Sequence, residues 1–374
     1  MKVPEMAEDN YEIVRQKLVL GPLNAPKHEK VFDLLKTFWD EETIKVLAHF
    51  PMAGEEISVP ELAEKSGFPK EDIKRILKKA NQKRTVARIG TKYALMPILP
   101  GVFEAYYISR QDTPENLKKA AKAYRFLIAN PAPRTKTEPD FSLFSPILPI
   151  ESTEKLIKVD ATVDTQSKVL SFELIEDMIN RNKVFCVIPC QCRLIAELDG
   201  EPCKVAPAAM GCFVAGPSAQ ALINLGFGKQ LTKEEAIDYI KKTEKAGLVH
   251  NASNDSSDHN FVCNCCSCHC GALIPTKRFH LPHVRPSNFA PTPNPELCIK
   301  CETCVKKCPM EAISHASKEA DIVIDYDLCI GCGVCAANCK KNAILMEKIR
   351  DIIPPKKNKI GNKSFDEMLQ NLIL

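Results

Sequence analysis

No cysteine occurs before position 186, although the chain of 374 residues carries 18 of them. A disulfide scaffold suits a small secreted chain, and this is neither small nor visibly secreted. Thiols confined to one half of a long chain point instead to metal chemistry. No apolar run approaches 18 residues, so no membrane-spanning helix is expected. Met1-Lys-Val-Pro-Glu-Met-Ala-Glu-Asp-Asn10 lacks the apolar core of a signal peptide, and a cytoplasmic protein is expected. The chain has no GxGxxG dinucleotide loop, no Walker A loop and no nucleophile elbow. The formal net charge of +4 is small for the length and argues neither for nor against nucleic acid as a main partner. A hydrophobic content of 45% is ordinary for a globular protein, and the length allows two or three domains.

The stretch from Cys298 to Cys339 organises what is present. It reads Cys298-Ile-Lys-Cys301-Glu-Thr-Cys304-Val-Lys-Lys-Cys308-Pro309, and returns as Cys329-Ile-Gly-Cys332-Gly-Val-Cys335-Ala-Ala-Asn-Cys339. Each run is C-x₂-C-x₂-C-x₃-C. The two-residue gaps let a loop curl around one cubane and aim three thiolates at three irons. The fourth cysteine is expected past the loop, at the start of a helix, reaching the other cluster. Cys298, Cys301, Cys304 and Cys339 then hold one [4Fe-4S] cluster, and Cys329, Cys332, Cys335 and Cys308 the second. The halves match beyond the cysteines: Cys308-Pro-Met-Glu-Ala-Ile313 mirrors Cys339-Lys-Lys-Asn-Ala-Ile344. Ile322–Tyr326 reads as a short strand entering the second loop. A zinc site would show paired CxxC knuckles across a longer gap, which two triple-plus-one repeats are not.

Over residues 298–346 the chain resembles the two-cluster bacterial-type ferredoxins. The resemblance implies two [4Fe-4S] clusters and single-electron transfer. Lys340 departs from the family, which usually has proline after the fourth cysteine; the local turn is affected rather than the ligation.

Upstream, Val31, Leu34, Leu35, Phe38 and Trp39 share one helical face. A second helical run holds Ile44 and Leu47 and stops before Pro51. Ser58 is placed to cap a helix with Pro60 in its first turn, Gly67 to turn the chain, and Pro69 to open a helix to Ala80. Val86–Leu95 reads as a hairpin around Gly90-Thr91. Across about 28–100 this order resembles a winged helix. Lys70, Lys74, Arg75, Lys78 and Lys79, with Lys83 and Arg84 after them, allow a DNA reading, but Glu71 and Asp72 dilute the basic face. A docking module is the favoured alternative. Helices are expected over Val102–Arg110 and Glu115–Ile128, with Phe103, Tyr106 and Tyr107 as core rather than a base-stacking platform. Residues 131–152 read as an irregular connector rich in proline. Asp164–Asn180 reads as a helix.

The middle is rich in thiols. Val184–Pro189 is a buried-type strand leading to Cys190-Gln-Cys192-Arg193, with Cys203 and Cys212 beyond. Thr232-Lys-Glu-Glu235 is a capping box, and Gly247 ends that helix. The chain then reaches Cys263-Asn-Cys265-Cys266-Ser-Cys268-His-Cys270. In an extended chain Cys263 and Cys265 share one face, and Cys266, Cys268 and Cys270 the other. So many adjacent free thiols would be redox hazards, whereas metal binding deprotonates them and disperses the charge. Cys190, Cys192, Cys203, Cys212, Cys263, Cys265, Cys266, Cys268 and Cys270 are the candidate ligands. They would serve one further Fe–S cluster with spares, or two; zinc and redox-active thiols are the alternatives. Cys186, inside the strand, reads as a small buried hydrophobe. His250, His259 and His269 are possible extra ligands. Arg193 is placed either to donate to cluster sulfurs or as an ordinary surface residue. The arrangement over 184–346 is similar to larger multi-cluster ferredoxin-like proteins of anaerobes.

The expected class is α+β: a winged-helix-like and helical docking domain (1–130), a connector with a helix (131–183), a cysteine-rich α/β domain (184–280), a stiff proline-rich linker (281–297), the ferredoxin module (298–346) and a tail (347–374). In the tail Phe365, Met368, Leu369 and Leu372 trace an amphipathic helix. The function expected is a multi-cluster iron–sulfur electron carrier serving a redox enzyme in an anaerobic complex. Rival readings are an oxidoreductase with its active site in the cysteine-rich domain, and an iron–sulfur DNA-binding regulator.

Overall fold

The computed structural model describes residues 9–20, 24–131, 142–153, 173–256 and 259–356, with the backbone alone at 359–360 and 363–364. Helix and sheet are mixed throughout, as an α+β chain requires. The expected tail helix at Phe365–Leu372 lies outside the described residues. The described residues fall into two compact units.

The first unit takes the described residues up to 131 together with Leu194–Glu201. Its helices are α1 (Asn10–Lys17), α2 (Glu29–Phe38), α3 (Glu41–Leu47), α4 (Val59–Ser66), α5 (Lys70–Gln82), α6 (Phe103–Ser109) and α7 (Pro114–Ala129). Their ends follow local chemistry. Asp40 caps α3 through Thr43 N, and Ser58 and Glu61 close a capping box on α4, which ends at left-handed Gly67. Strands β1 (Glu56–Ser58), β2 (Ala87–Ile89) and β3 (Lys92–Ala94) form an antiparallel sheet in the order β1-β3-β2. The hairpin was legible; its third strand was not.

The aromatic stripe is core, as expected. The ring of Phe38 lies 4.9 Å from that of Tyr106, and Phe103 lies 4.8 Å from Tyr124. Burial of tyrosine requires a partner for each hydroxyl. Tyr106 reaches Asp112, Tyr107 donates to Leu117 O and Tyr124 to Ile98 O, each at 3.0 Å.

The second unit is built on a six-stranded antiparallel sheet in the order β4-β8-β9-β6-β5-β7. The strands are β4 (Phe144–Pro146), β5 (Phe185–Ile188), β6 (Cys212–Ala215), β7 (Lys229–Leu231), β8 (Val249–Ser253) and β9 (Phe261–Cys265). Phe185 and Phe213 stack at 5.9 Å, and Ile175, Ile179, Ile240 and Val262 complete the core beneath them. Each such side chain stabilises by about 1.5–3 kcal/mol on burial. Helix Lys233–Ala246 carries the expected capping box and ends at left-handed Gly247, where β8 follows.

Three expectations are corrected. The connector is not wholly irregular, because Phe144–Pro146 pairs with Asn251–Ser253 as an edge strand. The expected helix over Asp164–Asn180 begins only at Ile175, since Leu174 is extended and bridges Leu148; residues 164–172 lie outside the described set. The proline-rich stretch is no spacer. Its Phe289–Pro293 forms β10, paired with β11 (Ile344–Lys348), and Val284 and Phe289 are buried. Proline is tolerated there because each of these two strands has a single partner.

Candidate metal centres

The two cysteine repeats fold as near copies. Each loop delivers two cysteines and leads into a very short helix that carries the third, Cys304 in Thr303–Lys307 and Cys335 in Val334–Ala337. The fourth cysteine therefore follows a helix rather than opening one: Cys308 terminates Thr303–Lys307, and Cys339 comes just after Val334–Ala337. Both fourth thiols accept equivalent backbone hydrogen bonds, from Ala312 N and from Ala343 N, each at 3.2 Å.

The loops need the left-handed backbone at matching places. In the first, Lys300 and Glu302 adopt it (φ 56° and 59°); in the second, Gly331 and Gly333 do (φ 66° and 73°). The difference lies in what packs above. A side chain at Gly331 would meet Phe289 O at 2.1 Å, and one at Gly333 would meet Pro149 at 2.8 Å. The first loop faces solvent, with Leu297 and Ile299 exposed beside exposed Cys301. Ser287 Oγ donates to Gly331 O at 2.7 Å, fastening the former linker onto the second loop.

Cys308 shares its electrostatic surroundings with Cys329, Cys332 and Cys335, and burial followed by those neighbours pushes Cys332 and Cys335 up. Cys304 is raised by burial first and then by Cys298 and Cys301.

The middle thiols separate into two groups that the sequence had not divided. Six lie as a closed ring of electrostatic neighbours: Cys190, Cys192, Cys270, Cys265, Cys263, Cys212 and back to Cys190. Across strands β6 and β9, Cys212 Sγ lies 4.0 Å from Cys263 Sγ. Hydrogen bonds from Cys192 and Cys212 hold Cys190 below its usual range, and those from Cys263 and Cys270 do the same for Cys265 on the far side of the ring. Gly271 N donates to Cys192 Sγ, and Ala272 N and Leu273 N to Cys270 Sγ.

The remaining three, Cys203, Cys266 and Cys268, have sulfurs all within 4.8 Å of one another. The face-alternation expected for 263–270 thus holds only to Cys265, where β9 ends. Beyond it the chain turns, sending Cys266 and Cys268 to Cys203 and returning Cys270 to the ring.

Glycine and arginine hold these groups in place. A side chain on Gly211 would meet Ile188 O at 1.9 Å and Cys190 N at 2.4 Å, so this close approach brings Cys190 and Cys212 together. Arg193 is fully buried, not a surface residue. It donates to the carbonyls of Asn264 (2.9 Å) and Met210 rather than to sulfur. Burial opposes its charge, but the thiols of Cys190, Cys266, Cys212 and Cys203 override this and push it up. Cys186 packs as expected, pushed up to about 12 by burial, with its sulfur against Gly228. His250 turns Nδ1 to Asn264 Oδ1 (2.7 Å) and Nε2 toward Glu244, and His259 lies near Asp255, so neither joins the thiols. His269 contributes its backbone N–H to Cys266 Sγ at 3.3 Å.

Residues 297–344 match the family model of a 4Fe-4S dicluster domain. No curated protein and no solved structure matches the chain. The second half therefore carries a ferredoxin-like iron–sulfur module, and its clustered cysteines support multiple Fe–S clusters. Among the described residues no helix is long and apolar enough to cross a membrane.

Proposed function

We propose that this chain is a multi-cluster iron–sulfur electron-transfer protein. Two cubanes are held by Cys298, Cys301, Cys304 and Cys339 and by Cys329, Cys332, Cys335 and Cys308. The six-thiol ring holds a further, polynuclear Fe–S cluster. One observation carries this reading. Cys263, Cys265 and Cys270 of the ring share one buried apolar cluster with Cys308, Cys329 and Cys332, and Cys308 also packs into the adjoining cluster with Cys304, Cys335 and Cys339. The three sets lie along contiguous apolar cores. Electrons hopping between them cross dry protein, where little solvent must reorganise. Cys301, with exposed Leu297 and Ile299, is the edge at which a redox partner exchanges electrons.

The first unit is read as a winged-helix-like docking module. Four of the basic residues that a DNA contact would use are engaged by acids, three on α5 and one just after it: Lys74 with Glu71 (2.7 Å), Arg75 with Glu42, Lys79 with Asp40 (2.8 Å), and Lys83 with Asp112 (2.9 Å). Oxygen-labile clusters and reduced thiols suit an anaerobic cytoplasm, and a catalytic redox subunit is the fitting partner.

Anaerobic purification with iron and sulfide quantitation and EPR tests this. More than about eight irons per chain are expected, with interacting reduced cubanes. Fewer than about eight contradict the two-cubane module.

A further inference from the structure

We propose that Cys203, Cys266 and Cys268 form a mononuclear zinc site, separate from the iron–sulfur clusters, with its fourth position open to water. This does not rest on the electron-transfer reading.

Spacing makes the distinction. A tetrahedral ion with Zn–S bonds of about 2.3 Å puts its thiolates about 3.8 Å apart, so three of them converge on one point. A cubane seats each thiolate on a different iron, so no three of its thiolates converge on a single point. The three sulfurs lie mutually within 4.8 Å, and Cys203 Sγ is 3.2 Å from Cys268 Sγ. Among the described residues no other trio of ligand atoms meets that condition, including any three of the ring. No three thiols of the ring converge in this way, whereas the trio closes on a single ion.

The surroundings agree. Val205 N donates to Cys203 Sγ at 3.4 Å, and His269 N to Cys266 Sγ at 3.3 Å, as fits anionic sulfur. Zinc binding releases three protons and leaves a complex of net charge −1. Arg193 lies beside Cys266 and Cys203, fully buried, with its donors spent on carbonyls and Nε without a hydrogen-bond partner. A buried guanidinium so placed needs a nearby anion. Cys266 is buried while Cys203 and Cys268 are partly exposed, so the fourth position faces solvent. Three protein ligands plus water is the pattern of zinc sites that exchange a ligand, not of closed structural ones.

The test uses the full chain, purified anaerobically. Metal analysis should find about one zinc per chain beside the iron, and zinc-edge X-ray absorption should show about three sulfurs at ~2.3 Å and one lighter ligand. C203S/C268S should lose the zinc while keeping its iron and its EPR spectrum. Wild-type protein with four sulfurs on zinc, with a Cys203–Cys268 disulfide, or with no zinc would overturn the site. Loss of iron from the double variant would assign the trio to a cluster instead. If that variant fails to fold, the absorption spectrum of the native protein decides alone. Low iron with zinc retained would sink the electron-transfer reading and leave this one standing.

Discussion

Arg193 Nη1 donates to the carbonyl oxygen of Asn264 at 2.9 Å, joining residues 71 positions apart. The bond places a buried cation beside Cys190 and Cys212 of the thiol ring and beside Cys203 and Cys266 of the trio. A positive charge there favours the reduced, more negative state of a neighbouring cluster. Arg193→Gln should lower the potential of the middle cluster by about 60 mV or more, the one-electron equivalent of about 1.4 kcal/mol. Arg193→Lys should recover part of the shift. Potentiometric EPR titration reads it, and an unchanged potential in the Gln variant would count against the charge.

Crossed ligation makes a sharp prediction for Cys308. Cys308→Ala should remove the cluster of Cys329, Cys332 and Cys335, lowering iron by about four per chain. Adding Cys329→Ala should then cost no further iron, whereas adding Cys298→Ala should remove about four more. The reverse pattern would show that each loop keeps its own fourth cysteine.

Gly211 has no room for a side chain against the backbone of Ile188 and Cys190. Gly211→Ala should push Cys190 away from Cys212, with a destabilisation of about 3 kcal/mol, as for an overpacked core. Iron should fall by the share held in the ring while the ferredoxin-like module keeps its own. Full iron content in this variant would show that the close approach is dispensable.

Glu104 accepts a hydrogen bond from Gly101 N at 2.6 Å, but burial dominates and raises its carboxyl from the ordinary 4.5 to about 7. Below pH 4.5 both folded and unfolded chains hold the proton. Between about 4.5 and 7 the unfolded chain has released it and the folded one has not, so stability falls as pH rises through that window. Glu104→Gln should flatten the slope. Denaturation followed by fluorescence of Trp39, the one tryptophan of the chain and buried in the same unit, reports this directly. Parallel pH profiles for the two proteins would refute it.

Local signals carried well from sequence to structure. Ser58 with Glu61, Thr232 with Glu235, and the turns at Gly67, Gly90 and Gly247 all act where their chemistry places them. So does the cysteine repeat, because its spacing is itself the geometry of a loop around a cluster. What depends on distant pairing was not legible. Phe144–Pro146 is too short to show alternation, and its place in the sheet comes from β8, more than a hundred residues away. The Pro291 and Pro293 that marked a linker sit in a strand defined only by β11. The division of the middle thiols into ring and trio follows from the turn after Cys265, which no residue there announces.

Three members of the ring belong to residues 190–212 and three to 263–270, with β6 and β9 as neighbours that bring the halves together. During synthesis the ribosome delivers the first half long before the second. Any iron offered early meets an incomplete cradle and has little to hold it. On the proposed reading of the ring as a cluster site, its metallation waits until translation has passed His269 and Cys270, and the pairing of β6 with β9 sets when that centre is loaded.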